Sequence, residues 1–223
     1  MKYIIGIDTS RVPIRLAIRD SEGLLFQTTY RQEKMEHFPL FIQHILDLLE
    51  IPNQDLIGVG AITGPGNYTG LRAGLTWAKT MAQVLNLPLY GFNKLNVLLY
   101  GARHLKQKTS PLINIRQKQV YTTVGQYGDP IDSDTPAFQS VLLETWIAQN
   151  KIAHPDILYC GDPYDFDGEP DFPFVSIENS ADLVAQLTWD AYQDNPDSHP
   201  YDILPFYIRP AVVAPKQKAG QKK

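Results

Sequence analysis

The fold of this chain is decided by the stretch Gly64-Pro65-Gly66-Asn67-Tyr68-Thr69-Gly70-Leu71-Arg72-Ala73-Gly74. The apolar run from Ile57 to Ile62 predicts a buried strand, and the spacing from Leu71 to Asn86 predicts a helix. A glycine-rich turn between them directs backbone N–H groups and the positive end of the helix dipole toward one point. Thr69 is the predicted helix cap, and Tyr68 is predicted to lie across the loop. The pattern fits either a tight structural turn or a phosphate-binding loop.

The loop matches neither of the two common phosphate-binding motifs. No Lys-Ser/Thr pair follows its last glycine, so it is not a Walker A loop. The third glycine falls one residue late for a dinucleotide-binding fingerprint.

The helix after the loop carries more apolar surface than one packed face requires. Two apolar stripes run along it, formed by Leu71, Leu75, Ala78, Ala82 and Leu85 and by Trp77, Met81 and Val84. Together they cover roughly 200° of the helix, about twice what one buried face needs. The second stripe must be covered by another part of the chain or by a partner. Both a central buried helix and a docking helix therefore stay open.

Length and composition limit the class of protein. The chain has 223 residues, 43% of them apolar, and a net charge of −4, which argues against a chain-wide nucleic-acid surface. No apolar run approaches the roughly 18 residues of a membrane span, and no signal peptide is recognisable. The single cysteine, Cys160, excludes an internal disulfide and is predicted to be a buried, inert thiol. We expect a soluble, cytoplasmic protein without a membrane partner.

The chain predicts two α/β lobes with the same opening. Strands at Tyr3–Ile7 and Ile14–Arg19 flank the turn Asp8-Thr9-Ser10, a pattern that resembles the first lobe of actin-like and sugar-kinase proteins. A purely structural turn is the alternative. After a hinge near Gln107–Pro111, two further strands open a second lobe. The predicted divisions are an N-terminal lobe at 1–108, a smaller lobe at 109–209 and a basic, disordered tail at 210–223.

An acidic segment at Asp162–Asp171 contains five carboxylates. Aligned as a calcium-binding loop on Gly168, it places Pro163 and Phe174 at ligand positions that require oxygen donors. We therefore predict a solvated loop and no metal site.

Several motifs together resemble one family. They are Ile5-Gly6-Ile7-Asp8-Thr9-Ser10, Glu36-His37, the stretch 64–74, Ala78-Lys79, Leu87-Pro88-Leu89 and Pro205-Phe206-Tyr207-Ile208-Arg209. In this order they resemble the TsaB (YeaZ) family, within the TsaD/Kae-type actin-like (ASKHA) superfamily. The resemblance covers nearly the whole chain. It implies two ribonuclease-H-like lobes, each a mixed sheet flanked by helices.

The resemblance also implies a function and partners. Members of the family support TsaD, with the ATPase TsaE, in transferring a threonylcarbamoyl group to adenosine 37 of tRNAs that read codons beginning with A. They bind TsaD through first-lobe helices, or form homodimers through the same helices when alone, and meet tRNA indirectly through the complex. The implied interface comprises His37, Phe41, Leu71, Arg72, Ala73, Trp77, Met81 and Val84.

Other positions imply a chain without catalytic or metal-binding residues. TsaD-like relatives carry two metal-binding histidines where this chain has Lys94 and Leu98, neither of which is a suitable ligand. Asn114 and Lys118 replace a carboxylate and a glycine of the second lobe. We expect no tightly bound cofactor, although ATP or ADP at the interface of the complex stays open. A weak nucleotide or anion site is expected at Asp8, Thr9, Ser10, Gly64, Gly66, Thr69 and Gly70.

Three alternatives stay open from the sequence. One is an ATP-dependent phosphotransferase or ATPase, with Asp8 directing a metal ion; Asn114 argues against it. Another is a glycoprotease-like peptidase, which needs a metal pair or a nucleophile–histidine pair that we do not find. The third is a free-standing binding module that dimerises through its first-lobe helices.

Overall fold

A computed structural model describes residues 1–31, 35–115, 118–128, 139–166, 170–196 and 203–206. Two five-stranded sheets, each flanked by helices, make up the described part of the chain. Both sheets contain parallel and antiparallel pairs, so the predicted α/β fold with two mixed sheets is confirmed. Within those residues, no helix is both long and apolar enough to span a membrane.

The first sheet has the strand order β3-β2-β1-β4-β5. Its strands are β1 (Tyr3–Asp8), β2 (Ile14–Asp20), β3 (Gly23–Tyr30), β4 (Leu56–Gly64) and β5 (Leu89–Asn93). Strand β1 pairs antiparallel with β2 and parallel with β4. The ends of β1 and β4 therefore lie side by side, which brings the turn at residues 8–11 next to the glycine-rich loop.

Helices α1 (Phe38–Leu48) and α2 (Tyr68–Leu85) cover one face of this sheet. Their apolar residues share a core with the strands, and Phe38 at the centre of that core is fully buried. Helix α3 (Lys94–Gly101) begins directly after β5 and packs against both sheets.

The second sheet has the order β10-β9-β6-β7-β8. Its strands are β6 (Thr109–Asn114), β7 (Gln119–Thr122), β8 (Gln139–Leu142), β9 (Leu158–Gly161) and β10 (Phe174–Ser176). Helix α4 (Leu143–Ala153) follows β8. The two strands predicted to open the second lobe correspond to β6 and β7.

Helix α5 (Ser180–Asp194) comes from the second half of the chain but packs on the first sheet. Ala181 and Ala185 lie against Gly6 of β1, where a Cβ atom on Gly6 would come within 2.5 Å of the Ala185 nitrogen. The absence of a side chain at Gly6 thus permits the close approach.

The predicted second lobe, residues 109 to 209, included α5, but α5 packs on the first sheet. The boundary at 108 stays a prediction, and the tail at 210–223 lies outside the described residues.

Candidate functional site

A cleft of about 920 Å³ lies between the two sheets. The turn after β1, the start of α2 and the end of β6 form its walls, represented by Ser10, Arg11, Tyr68, Thr69 and Asn114. The floor contains Lys94, which comes from the first turn of α3. Of the residues predicted to bind a nucleotide or anion, Ser10, Gly66 and Thr69 line this cleft.

Asp8 is fully buried beneath the cleft, and its carboxylate accepts four hydrogen bonds from described residues. The Ser10 backbone N–H donates to Oδ1 over 2.9 Å, and the Ser10 hydroxyl donates to the same oxygen. Lys94 Nζ and the Ser180 hydroxyl donate to Oδ2. Burial by itself raises the pKa of Asp8, but the Lys94 charge and these hydrogen bonds outweigh it and hold the pKa well below its usual range.

Lys94 occupies the place next to Asp8 that a cation would need. Its side chain is only 3% exposed, and its ammonium group forms an ion pair with Asp8. Asn93 caps the helix by accepting from the Leu95 backbone N–H over 2.9 Å, which fixes Lys94 in the first turn. Because both oxygens of Asp8 are already bonded, this carboxylate does not fit a magnesium-bound nucleotide. Across the described residues, no cluster of three or more histidine, cysteine or acidic side chains could hold a metal ion.

The glycine-rich loop is tied to the turn after β1. The backbone N–H of Asn67 donates to the Ser10 carbonyl over 2.6 Å. The Asn67 side chain also accepts from the Gly70 N–H over 2.9 Å, so Asn67 caps α2. The prediction that Thr69 caps the helix is wrong, since the helix begins one residue before it, at Tyr68.

The loop glycines permit close packing. A Cβ atom on Gly66 would lie 2.5 Å from the Cβ of Ser10, and one on Gly70 or Gly74 would come within 3.0 Å of Thr9 atoms. These three glycines therefore let α2 rest directly on Thr9 and Ser10. Gly64 lies slightly apart, with φ +135° and its open side against the carbonyl of Phe206. This packing supports the structural interpretation of the loop, although Thr69 remains exposed at the cleft wall.

Two carboxylates of the acidic segment lie inside the protein, so the prediction of a solvated loop is wrong for them. Asp162 Oδ2 lies 2.6 Å from Arg15 Nη2, and both side chains are buried. Asp165 forms an ion pair with Arg11 and accepts from the Asn114 backbone N–H over 3.4 Å. These pairs connect the first sheet with the segment after β9. Residues 167–169 of the acidic segment lie outside the described residues.

The hairpin between β6 and β7 has a lysine in a left-handed conformation. Lys118 has φ 57°, a region that favours glycine because it has no Cβ. Its ammonium group lies 3.5 Å from Glu144, and both side chains are more than four-fifths exposed. The position where the resemblance implies a glycine is therefore one whose backbone conformation favours glycine.

A second cavity, the α1–α2 groove, lies between helices α1 and α2 and has a volume of about 650 Å³. Trp77 and Met81 line it and are half-buried against the core. The Trp77 ring meets Phe38 edge-on, with 5.6 Å between ring centroids. Val84 also lines the groove and is 75% exposed. Helix α1 therefore covers only part of the second apolar stripe.

The other residues predicted to form the interface differ in how exposed they are. Ala73 lines the α1–α2 groove, and Arg72 is exposed on α2. His37 is also exposed and lies directly before α1, as its N-cap residue. Phe41 is half-buried, with its ring 4.8 Å from that of Tyr30. Leu71 is fully buried in a core shared by both sheets, so its inclusion in an exposed interface is wrong.

Cys160 is buried, as predicted, between β6 and β10. Burial raises the pKa of its thiol to about 12, so the thiolate is scarce at neutral pH. This thiol lacks the properties of a nucleophile.

The fold is that of an actin-like α/β protein. It has two mixed sheets with a cleft between them, and α5 packs on the first sheet. Comparison with known proteins identifies the family. A family model described as TsaD, tRNA N6-adenosine threonylcarbamoyltransferase, matches residues 29–157, more than half of the chain. The tRNA threonylcarbamoyladenosine biosynthesis protein TsaB of Bacillus subtilis (strain 168) is 30% identical over 161 residues, which cover 71% of this chain and 70% of that protein. The chain belongs to the TsaB (YeaZ) family.

Two further similarities agree with this assignment. The tRNA N6-adenosine threonylcarbamoyltransferase of Clostridioides difficile (strain 630) is 33% identical over 77 residues, covering 34% of this chain and 22% of that protein. The solved structure of YeaZ from Pseudomonas aeruginosa has a TM-score of 0.66 at 16% identity and covers 93% of this chain and 100% of that chain. At this identity the structural similarity concerns the fold alone.

Proposed function

We propose that this protein is a non-catalytic subunit that binds and activates TsaD, with TsaE, in threonylcarbamoyladenosine biosynthesis. The reaction would be transfer of a threonylcarbamoyl group to adenosine 37 of tRNAs that read codons beginning with A. The observation that carries the proposal is the buried Asp8–Lys94 pair, because it occupies the first-turn carboxylate with a side-chain cation.

The second lobe supports the same interpretation. Asn114 brings no charge to the cleft, and the nearby carboxylates Asp162 and Asp165 are paired with Arg15 and Arg11. No described carboxylate in the cleft is therefore left to coordinate a magnesium ion. This argues against an actin-like ATPase or phosphotransferase. The presence of ATP or ADP at the interface of the complex stays a prediction.

The α1–α2 groove supports a docking role. An exposed Val84 and half-buried Trp77 and Met81 provide an apolar centre, with polar Glu36, Gln43 and Thr80 on its walls. An apolar centre with a polar rim is the usual anatomy of a protein interface. We propose that TsaD binds here and that two copies of this chain pair through the same groove when TsaD is absent.

Size-exclusion chromatography with light scattering of the protein, alone and with TsaD, tests this proposal. Trp77→Glu places a charge in the groove and is expected to abolish the heterodimer. Because Trp77 also contacts Phe38, Val84→Glu serves as a second variant that leaves the core intact. Ile152→Glu is the matched control, since Ile152 is 85% exposed on α4, away from the groove. Heterodimers of undiminished affinity with both groove variants would refute the assigned surface.

A further inference from the structure

The charges of this acidic protein are distributed unevenly along the chain. Residues 56–128 contain eight lysines and arginines and no aspartate or glutamate, whereas the other 150 residues contain 12 basic and 24 acidic side chains. A block of one sign in a chain of the opposite net charge indicates a surface for a partner of the complementary charge.

Within this block, the densest group of basic residues lies directly after α3. Arg103, His104, Lys106 and Lys108 fall within six residues, and all four are exposed. Arg103 and His104 lie in the 3-10 turn Arg103–Leu105, and Lys106 and Lys108 follow it before β6. Among the described residues, neither Lys106 nor Lys108 forms an ion pair with a carboxylate, so their charges are available to a partner.

Aromatic and amide side chains complete the patch. The Tyr127 ring is 47% exposed and meets Tyr100 edge-on, with 4.7 Å between centroids. On Tyr100, the guanidinium of Arg103 lies 3.9 Å from the ring centroid, and its Nη1 donates to the Tyr100 carbonyl over 2.8 Å. A recess of about 230 Å³ is lined by Arg103, Lys106, Gln107, Gln126 and Tyr127.

Two acidic residues border the patch. Asp190 of α5 accepts from the Tyr100 hydroxyl over 3.4 Å, and the backbone carbonyl of Asp156 accepts from Gln107. Burial raises the pKa of Tyr127, and the nearby Asp190 carboxylate raises it further, while the Arg103 charge lowers it. The phenol therefore stays neutral near pH 7 and can donate a hydrogen bond. The patch keeps a positive excess despite these two carboxylates.

We propose that this patch, formed by Arg103, His104, Lys106, Lys108 and Tyr127, contacts the phosphate backbone of RNA. Basic side chains bind nucleic-acid phosphates, and an exposed aromatic ring beside them can stack on a base. The recess is smaller than a typical small-molecule pocket, which suits one phosphate or base edge better than a whole cofactor. Under the proposed function, on which this inference rests, the RNA would be tRNA, and this subunit would contact it directly.

Fluorescence anisotropy with labelled tRNA, at 50 to 200 mM salt, tests the patch on the complex with TsaD and on the chain alone. The variant Lys106→Gln/Lys108→Gln removes two exposed charges without disturbing the core. We expect roughly tenfold weaker binding at 50 mM salt and a salt slope reduced by about 2. Tyr127→Ala is expected to weaken binding roughly fivefold or more through lost stacking.

Lys2→Gln/Lys118→Gln is the matched control, because both lysines are exposed and their loss changes the net charge equally. This control should keep wild-type tRNA affinity. The proposal is overturned if both pairs weaken binding equally, or if Lys106→Gln/Lys108→Gln changes neither affinity nor salt slope. It is also overturned if that variant loses TsaD instead of tRNA, since the patch would then be a protein contact. Failure of the wild-type chain to bind TsaD would refute the proposed function, while tRNA binding by the chain alone would still test the patch.

Discussion

Lys94 Nζ donates a hydrogen bond to Asp8 Oδ2, and both side chains are shielded from solvent. The pair joins the end of β1 to the start of α3, and the Ser180 hydroxyl adds the start of α5 to the same carboxylate. Three elements therefore meet at one buried charge. This arrangement explains how the turn at residues 8–11 can be held in place by the chain's own side chains.

The first prediction concerns the stability that this pair provides. Lys94→Met leaves the Asp8 carboxylate buried without its cation, which is expected to cost about 3–5 kcal/mol of unfolding free energy. Asp8→Asn/Lys94→Met removes both charges. The Asn oxygen can still accept from Ser10, and its NH2 group can donate to the Ser180 hydroxyl, which then acts as the acceptor. The double variant should therefore be more stable than Lys94→Met. Urea unfolding measures both values. A cost below about 1 kcal/mol for Lys94→Met would contradict a buried pair.

The second prediction concerns how the stability of the protein changes at acidic pH. The pKa of Asp8 is lower in the folded protein than the 3.8 of a free side chain, so its charge stabilises the fold above that value. This contribution is lost as the pH falls below about 3.8 toward the lowered value. The difference in unfolding free energy between the wild type and Asp8→Asn/Lys94→Met should therefore stay constant from pH 5 to pH 8 and shift against the wild type below pH 4. A shift already at pH 6 would assign the titration to another group.

The third prediction concerns the glycines of the loop. Gly74→Ala places a methyl group within 3.0 Å of three Thr9 side-chain atoms, so α2 must shift. Overpacking of this kind is expected to cost about 1–3 kcal/mol. Thermal unfolding of Gly74→Ala, with Gly74→Ala/Thr9→Ala as the partial rescue, measures the effect. Equal stability of Gly74→Ala and the wild type would show that the glycine is not required for close packing.

The fourth prediction concerns the β6–β7 hairpin. Lys118→Gly relieves the left-handed conformation and is expected to stabilise the protein by about 0.5–1 kcal/mol after the extra flexibility of the unfolded chain is counted. Lys118→Ala is the control, because it loses the same charge and keeps a Cβ. A Lys118→Gly variant no more stable than Lys118→Ala in urea unfolding would contradict the strain argument.

The sequence predicted the strand and the helix on either side of the glycine-rich loop because local patterns determine them. The apolar run before Gly64 and the helical spacing after Leu71 correspond to β4 and α2. The cap was misplaced because both Asn67 and Thr69 suit that role, and only the backbone geometry chooses between them. Strand β10 has three residues, too few for a periodic signal.

The contacts of the candidate site could not be predicted from local sequence patterns, because they join residues that are far apart in the chain. Lys94 was recognised as a poor metal ligand, but its partner Asp8 lies 86 residues earlier. The pairing of Arg15 with Asp162 crosses the two sheets, so the acidic segment could not be distinguished from a solvated loop by composition. The burial of Leu71 followed from the position of α3 and β6 beneath α2, which also requires the tertiary fold.

The central claim is that this chain activates TsaD and performs no chemistry of its own. Incorporation of labelled threonine into tRNA, with TsaD, TsaE and the enzyme that forms threonylcarbamoyl adenylate, tests it most directly. We predict no incorporation when this chain replaces TsaD, little when this chain is omitted, and full activity when all components are present. We also predict that Asp8→Asn/Lys94→Met, where it remains folded, retains that activity. Incorporation by this chain without TsaD would contradict the account.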